Sequence, residues 1–132
     1  MDGFIVGNNP AVHGCNWASL IMSGKKTAEV RATNTKKRGR VAIISSQTNE
    51  ILGTVEIYDV KLVKTEEEWN ALKPRTKVNK RLKDLFYDNV YVWLLRNATP
   101  FAKPIPCANR KRGQVIWVKD AYEDTERKYL YD

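Results

Sequence analysis

Three charged side chains at fixed spacing, Lys26, Glu29 and Arg31, carry the strongest chemical signal in this chain, in the run Gly24-Lys25-Lys26-Thr27-Ala28-Glu29-Val30-Arg31. Read as G-x-K-x-x-E-x-R, the run places a carboxylate between an ammonium and a guanidinium. Nearby positive charge favours the ionised carboxylate. A guanidinium grips an anion through two parallel hydrogen bonds, and a lysine adds a point charge. Together the three groups could hold a polar, anionic ligand; the alternative is a structural ion-pair network. In a catalytic site, Lys26 or Glu29 would be the candidate general base.

The flanking pattern supplies elements to position them. Trp17, Leu20 and Ile21 stand at i, i+3 and i+4 within residues 16–23, the stripe of a short helix. Asn16 is the expected N-cap and Gly24 the left-handed residue beyond its end. Polar and apolar residues then alternate from Thr27 to Arg31. In a strand, Thr27, Glu29 and Arg31 share one face, with Ala28 and Val30 on the other. Lys26 lies at the turn into that strand.

Further along, residues 32–39 read as a polar loop, 40–45 as a buried strand and 47–50 as a turn. Residues 51–63 are rich in β-branched side chains and read as a long strand or a bent pair, with Gly53 marking a bulge. Thr65 and Glu68 fit a capping box, opening a helix through Trp69 and Leu72 that is expected to stop before Pro74. Leu82, Leu85 and Phe86 show helical spacing between Asn79 and Asp88. Residues 90–96 form a strand. Residues 99–106 contain three prolines and read as an extended loop. Residues 114–119 make a last strand, and 120–132 an acidic C-terminal tail. This order predicts one α+β domain on a mixed or antiparallel sheet, curled as a barrel, with short peripheral helices and a core over about 10–119.

Across the 132 residues the net charge is +8, which favours nucleic acid or nucleotide contact over a merely solvated basic surface. The positive charge is segregated. One group surrounds the motif and includes Lys36, Lys37, Arg38 and Arg40, expected to touch phosphate unless they are a solvated loop. A second spans Lys73, Arg75, Lys77, Lys80, Arg81 and Lys83; a third is Arg110, Lys111 and Arg112. Ser45 and Ser46, at the end of a buried strand, are candidates to line the same cleft. Tyr91 and Trp93 could stack on bases of single-stranded RNA, although core packing is the favoured role for both. Trp17, Trp69 and Trp117 are expected in the core.

Other chemistries find little support. Cys15 and Cys107 are isolated, and with His13 as the one histidine no ordinary Cys/His zinc site can be built. His13 reads as a turn residue. No metal or other cofactor is expected. No apolar run reaches the roughly 20 residues of a membrane helix. The N-terminus lacks signal-peptide character, so a cytoplasmic protein with free thiols and no membrane partner is expected. The residues set no oligomeric state.

With these blocks in place, the chain resembles the ASCH domain family of the PUA-like superfamily. The likeness rests on Trp17-x-x-Leu20-Ile21 running into Gly24-x-Lys26-x-x-Glu29-x-Arg31. It extends through Tyr91-x-Trp93-Leu94, Pro100-Phe101-x-x-Pro104-x-Pro106 and Arg112-Gly113-Gln114-x-x-Trp117. The resemblance implies a PUA-like pseudo-barrel whose cleft is lined by the motif, with RNA, a nucleotide or a modified nucleoside as ligand. One branch of the family resembles an acetylcytidine amidohydrolase that uses a lysine, a threonine nucleophile and a glutamate; another is reported as ribonucleases. Lys26 matches that lysine. The threonine position holds Glu29, and Thr27 is displaced by two residues. Binding of RNA or a nucleotide is therefore the leading expectation. A small hydrolase using the same cleft is the alternative, and a protein-interaction module the second alternative.

Overall fold

The structure is a computed structural model that describes residues 1–8, 15–111, 113–114 and 116–123. The elements are β1 (Gly3–Val6), α1 (Trp17–Met22), β2 (Ala28–Arg31), β3 (Gly39–Ser45), β4 (Glu50–Val63), α2 (Glu66–Thr76), a single 3-10 turn (Leu82–Asp84), β5 (Val90–Pro106) and β6 (Trp117–Val118). The strands form one mixed six-stranded sheet in the order β2-β5-β4-β3-β1-β6. It curls into a half-barrel with two helices among the described residues, within the α+β, PUA-like class expected. β1 and β3 pair in parallel, whereas β1–β6, β2–β5, β3–β4 and β4–β5 are antiparallel. None of the helices described is long and apolar enough to cross a membrane.

Several elements follow from local chemistry as expected. Thr65 accepts from the Glu68 amide, and Glu68 reaches back to the Thr65 amide, closing the capping box. Asn16 occupies the N-cap of α1, but its side chain makes no cap bond; the Asn8 side chain instead accepts from the Ser19 amide. Gly24, at φ +78°, takes the left-handed conformation one residue beyond the C-cap Ser23. The β4–β5 register shifts between Ile51 and Gly53, where the bulge was expected.

Four expectations need correction. β1 is absent from the sequence reading, because Phe4, Ile5 and Val6 are too short a run to carry a period; only pairing with β3 and β6 reveals it. Residues 99–106 are not a loop but the distal half of β5, with Thr99 opposite Thr54 and Pro106 opposite Glu50. β2 covers only Tyr91 to Leu94 on the far side, so this half is an edge with one neighbour, where a missing proline N–H is tolerated. α2 continues through Pro74 to Thr76. The ring frees the Asn70 carbonyl, but Asn70 lies on the exposed side, where water can take over. The Asn79–Asp88 segment is no helix beyond Leu82–Asp84: Leu85 is already extended, and Phe86 is 95% exposed.

The core falls into three clusters. Phe4, Ile21, Val55, Ile57 and Trp93 pack under α1. Ile5, Ile44, Phe101 and Tyr122 form a second group. Ala28, Val30, Trp69, Val92 and Leu94 fill the space beneath α2. Phe4 and Tyr122 thus carry the core beyond 10–119 at both ends, and Tyr122, within the expected acidic tail, is buried. His13, Arg112 and residues 124–132 lie outside the described residues.

Candidate nucleotide-binding cleft

Lys26 leaves the α1–β2 turn, where its amide donates to the Leu20 carbonyl, and its side chain runs inward to the end of α2. There Nζ donates to the Thr76 carbonyl at 2.6 Å, satisfying one of the acceptors a helix C-terminus leaves open. Nζ also lies 3.4 Å from Glu29 Oε1 and 4.6 Å from the centre of the Trp17 ring. Glu29 presents its other oxygen, Oε2, to Arg31 Nη2 at 2.9 Å. The same Nη2 donates to the Ile5 carbonyl of β1 at 2.8 Å. The three motif side chains therefore converge, joined to β1 and α2, which the sequence reading did not connect with them.

Burial decides the electrostatics. Lys26 is 1% exposed and Glu29 7%. Burial pushes the Lys26 ammonium below its ordinary pKa, ahead of the opposing pull of Glu29. Burial also pushes the Glu29 carboxyl up, but Arg31 and Lys26 outweigh it by charge and hydrogen bonding and hold it low. Arg31 is supported from behind, its guanidinium 5.5 Å from the centres of both the Phe4 and Trp93 rings.

These groups form the floor of an open cleft of about 740 Å³. Ile5, Val6 and Gly7 from the β1 end, and Cys15 and Trp17 from the start of α1, make one side. Lys77, Asn79, Lys80, Leu85 and Tyr87, from the segment after α2, make a further wall. Among the described residues, four cationic side chains, Lys26, Arg31, Lys77 and Lys80, line the cleft against one carboxylate, that of Glu29. Nε and Nη1 of Arg31 make no hydrogen bond among the described residues, whereas the Lys26 ammonium and both Glu29 oxygens are engaged.

Other candidate residues are placed elsewhere. The Thr27 hydroxyl accepts from Arg75 Nε at 3.0 Å and lines a separate groove with Tyr58 and Arg75, so it is not on the Glu29–Arg31 face of the cleft. The cause is the turn: β2 begins only at Ala28, and strand alternation does not reach Thr27. The basic loop also misses the cleft. Lys37 pairs with Asp2 at 2.7 Å, Arg38 donates to the carbonyls of Thr35 and Lys37, and Arg40 binds Thr54 Oγ1 and the Asn97 carbonyl. Lys36 is likewise not among the residues lining the cleft. Ser45 is buried with its hydroxyl unpartnered among the described residues, while Ser46 lines the cleft.

Trp93 is fully buried, stacked on Trp117 at 5.6 Å, with Nε1 donating to the Thr33 carbonyl; no base can reach its face. Tyr91 packs against the same core and does not line the cleft. Trp17 serves both core and cleft. Cys107 is buried, and burial raises its thiol pKa, which disfavours the reactive thiolate. Among the described residues, no group of three or more His, Cys, Asp or Glu side chains could hold a metal ion.

The sequence reading missed Lys77, Lys80 and Tyr87 as cleft residues. The two lysines were visible as part of the second basic group, but nothing in their spacing links them to a motif some 50 residues earlier. The capping of α2 by Lys26 makes that link.

Comparison with known proteins agrees with this architecture. The family model described as ASCH domain matches residues 15–105. Among solved structures, the chain is similar to an ASCH protein from Zymomonas mobilis at 18% identity and a TM-score of 0.68, covering 98% of this chain and 94% of that one. A tyrosine-to-phenylalanine mutant of the Zymomonas protein gives 17% identity, a TM-score of 0.68, and 98% and 97% coverage. A serine-to-alanine mutant gives 15%, 0.68, and 97% and 93%. At these identities the likeness is one of fold. No curated protein matches the chain.

Proposed function

The chain belongs to the ASCH domain family, and we propose that it binds RNA, a nucleotide or a modified nucleoside in the cleft above Lys26, Glu29 and Arg31. The carrying observation is Arg31: it lines the cleft, is held by Ile5 and Glu29 through Nη2, and keeps Nε and Nη1 without a partner among the described residues. Such a half-used guanidinium suits a phosphate or a carbonyl edge. Lys77 and Lys80 add positive charge on the wall after α2. Glu29 keeps Arg31 in place and offsets part of the charge at the floor. Contacts to phosphate come from this wall rather than from Lys36, Lys37, Arg38 and Arg40.

Binding of fluorescent RNA and nucleotides at several salt concentrations tests this. The wild type should bind with an affinity that falls as salt rises. Arg31→Ala should weaken binding at least tenfold, and Glu29→Ala less than Arg31→Ala. Replacing Lys36 and Arg38 by Ala should change little. Absent or salt-insensitive binding by the wild type would refute the proposal.

One observation favours a second reading, hydrolysis of the same ligand. Burial lowers the Lys26 pKa, so its neutral amine is reached more readily than that of a surface lysine. In that reading Lys26, with Glu29 beside it, is the general base. RNA or acetylated nucleosides should then be turned over by the wild type and not by Lys26→Met or Glu29→Gln. Turnover by both variants at the wild-type rate would refute it. Thr27, bonded to Arg75 outside the cleft, has no part in it.

A further inference from the structure

The wall from Lys77 to Tyr87 has features that a mononucleotide pocket does not need. Phe86 is 95% exposed, and its neighbour Tyr87, which lines the cleft, is 43% exposed. A lone exposed phenylalanine needs no explanation. This one sits beside a second exposed aromatic, in a segment that also carries Lys77, Lys80 and Lys83. None of those three lysines makes a side-chain ion pair among the described residues. The neighbouring Arg81 is committed to Asp84 at 2.9 Å.

The aromatics are not exposed for want of anchoring. Trp69 Nε1 donates to the Lys80 carbonyl at 2.8 Å. The Glu66 carboxylate accepts from the amides of Leu82 and Lys83. Leu82 and Leu85 pack against the core beneath α2. Leu85 and Tyr87 both line the cleft, so the extended chain between them turns Phe86 to the outer side of the wall. A ligand leaving the cleft over this wall meets Tyr87 first and Phe86 next, in a segment that also carries the three lysines.

We infer that the Lys77–Tyr87 wall is a stacking platform for single-stranded nucleic acid, so that the ligand is an oligonucleotide running out of the cleft rather than a free mononucleotide. This rests on the reading of the cleft given above. Tyr87 stacks on the base at the mouth and Phe86 on the next base outside, while Lys77, Lys80 and Lys83 meet the backbone. Stacking suits this surface because every base has a π-face, and cations beside aromatics are the usual composition of single-strand grooves. A protein partner would meet the aromatics equally well, but the lysines favour a polyanion.

Fluorescence anisotropy with a labelled single-stranded RNA of about ten nucleotides, a length within the usual site range, the matching duplex and a labelled mononucleotide tests the inference. Phe86→Ala alters an exposed side chain and should fold normally. It should weaken oligonucleotide binding about tenfold and leave mononucleotide binding unchanged. Tyr87→Ala should weaken both, as should Arg31→Ala. Removing Lys80 and Lys83 should flatten the salt dependence of oligonucleotide binding by about 0.7 per lost phosphate contact. Equal oligonucleotide affinity in Phe86→Ala and wild type, with Arg31→Ala still impaired, would overturn the platform while leaving the cleft reading intact. Duplex binding as tight as single-strand binding would also overturn it. No binding of any nucleic acid by the wild type would overturn the cleft reading and the platform together; a protein captured through Phe86 would then identify the wall as a protein interface.

Discussion

Replacing Glu29 by glutamine removes the one negative charge between two cations while keeping its shape and an acceptor for Arg31. The distances set the scale. At an effective dielectric of about 20, unit charges 3.4 Å and 2.9 Å apart attract by about 5 and 6 kcal/mol. The cost of burying these charges opposes much of this attraction. Breaking a buried pair by removing one partner typically costs about 3–5 kcal/mol, because a charge is left uncompensated. Here that charge is chiefly Lys26, which retains the Thr76 carbonyl and the Trp17 ring but no counter-ion. Urea unfolding of Glu29→Gln at neutral pH should therefore show a loss of about 3–5 kcal/mol. In a Lys26→Met background the same substitution should cost at least about 1 kcal/mol less, since one of its two cations is gone.

The pH dependence of that loss has a definite sign. The folded carboxyl of Glu29 titrates below its ordinary value of 4.5. Its stabilisation is complete above 4.5 and is lost as pH falls through the folded value, so the wild type weakens in acid more than the variant does. The folded ammonium of Lys26 titrates below its ordinary value of 10.5. Between the folded value and 10.5 the unfolded chain binds more protons, so stability rises with pH. Glutamine removes the group that held the Lys26 pKa up, which widens this window in the variant. The gap between the two proteins should be greatest near neutral pH and narrow toward both extremes. A loss below about 1 kcal/mol at neutral pH, or equal losses with and without Lys26 to within about 0.5 kcal/mol, would refute the uncompensated-charge argument.

Thr65→Ala should cost about 1 kcal/mol in thermal or urea unfolding, because it opens the capping box of α2; no loss would mean that the cap is formed equally in the unfolded chain. Gly53→Ala should cost about 1–3 kcal/mol, since a Cβ there runs into the Thr99 carbonyl, Met22 Sδ and Pro100 Cα at the β4–β5 crossing, and backbone cannot give way cheaply; a neutral result would contradict that close approach. Trp69→Phe should cost about 1–3 kcal/mol through lost volume and the lost bond to the Lys80 carbonyl. Hydrogen exchange in that variant should speed up across residues 77–83 rather than in the sheet, and uniform exchange would argue against a local anchor.

Local chemistry was legible where a single element carries it. The capping box at Thr65 and Glu68, the glycine beyond α1 and the irregularity near Gly53 each depend on a few neighbouring residues, and each stands as read. Elements defined by pairing were not legible. β1 has four residues and exists because β3 and β6 hold it on both sides. The proline-rich 99–106 segment reads as a loop by composition, yet an edge position asks nothing of the amides it lacks. Helical spacing at Leu82, Leu85 and Phe86 misled because two of those side chains reach the core from a single turn and the third does not reach it at all.

The candidate site divides the same way. The sequence by itself determined that Lys26, Glu29 and Arg31 stand close together with opposite charges, because short-range spacing fixes which side chains can meet. It also determined the family, through blocks that keep their order along the chain. Tertiary structure decided how deeply the triad is buried, that Lys26 spends its ammonium on the end of α2, and that among the described residues Arg31 rather than Lys26 keeps donors to spare. It also separated the basic loop from the cleft: Lys37, Arg38 and Arg40 are occupied by Asp2, Thr54 and backbone carbonyls, whereas Lys77, Lys80 and Tyr87 line the cleft. The physical reason is that charge count belongs to composition, whereas the direction of a charged side chain follows from which acceptors folding brings within reach.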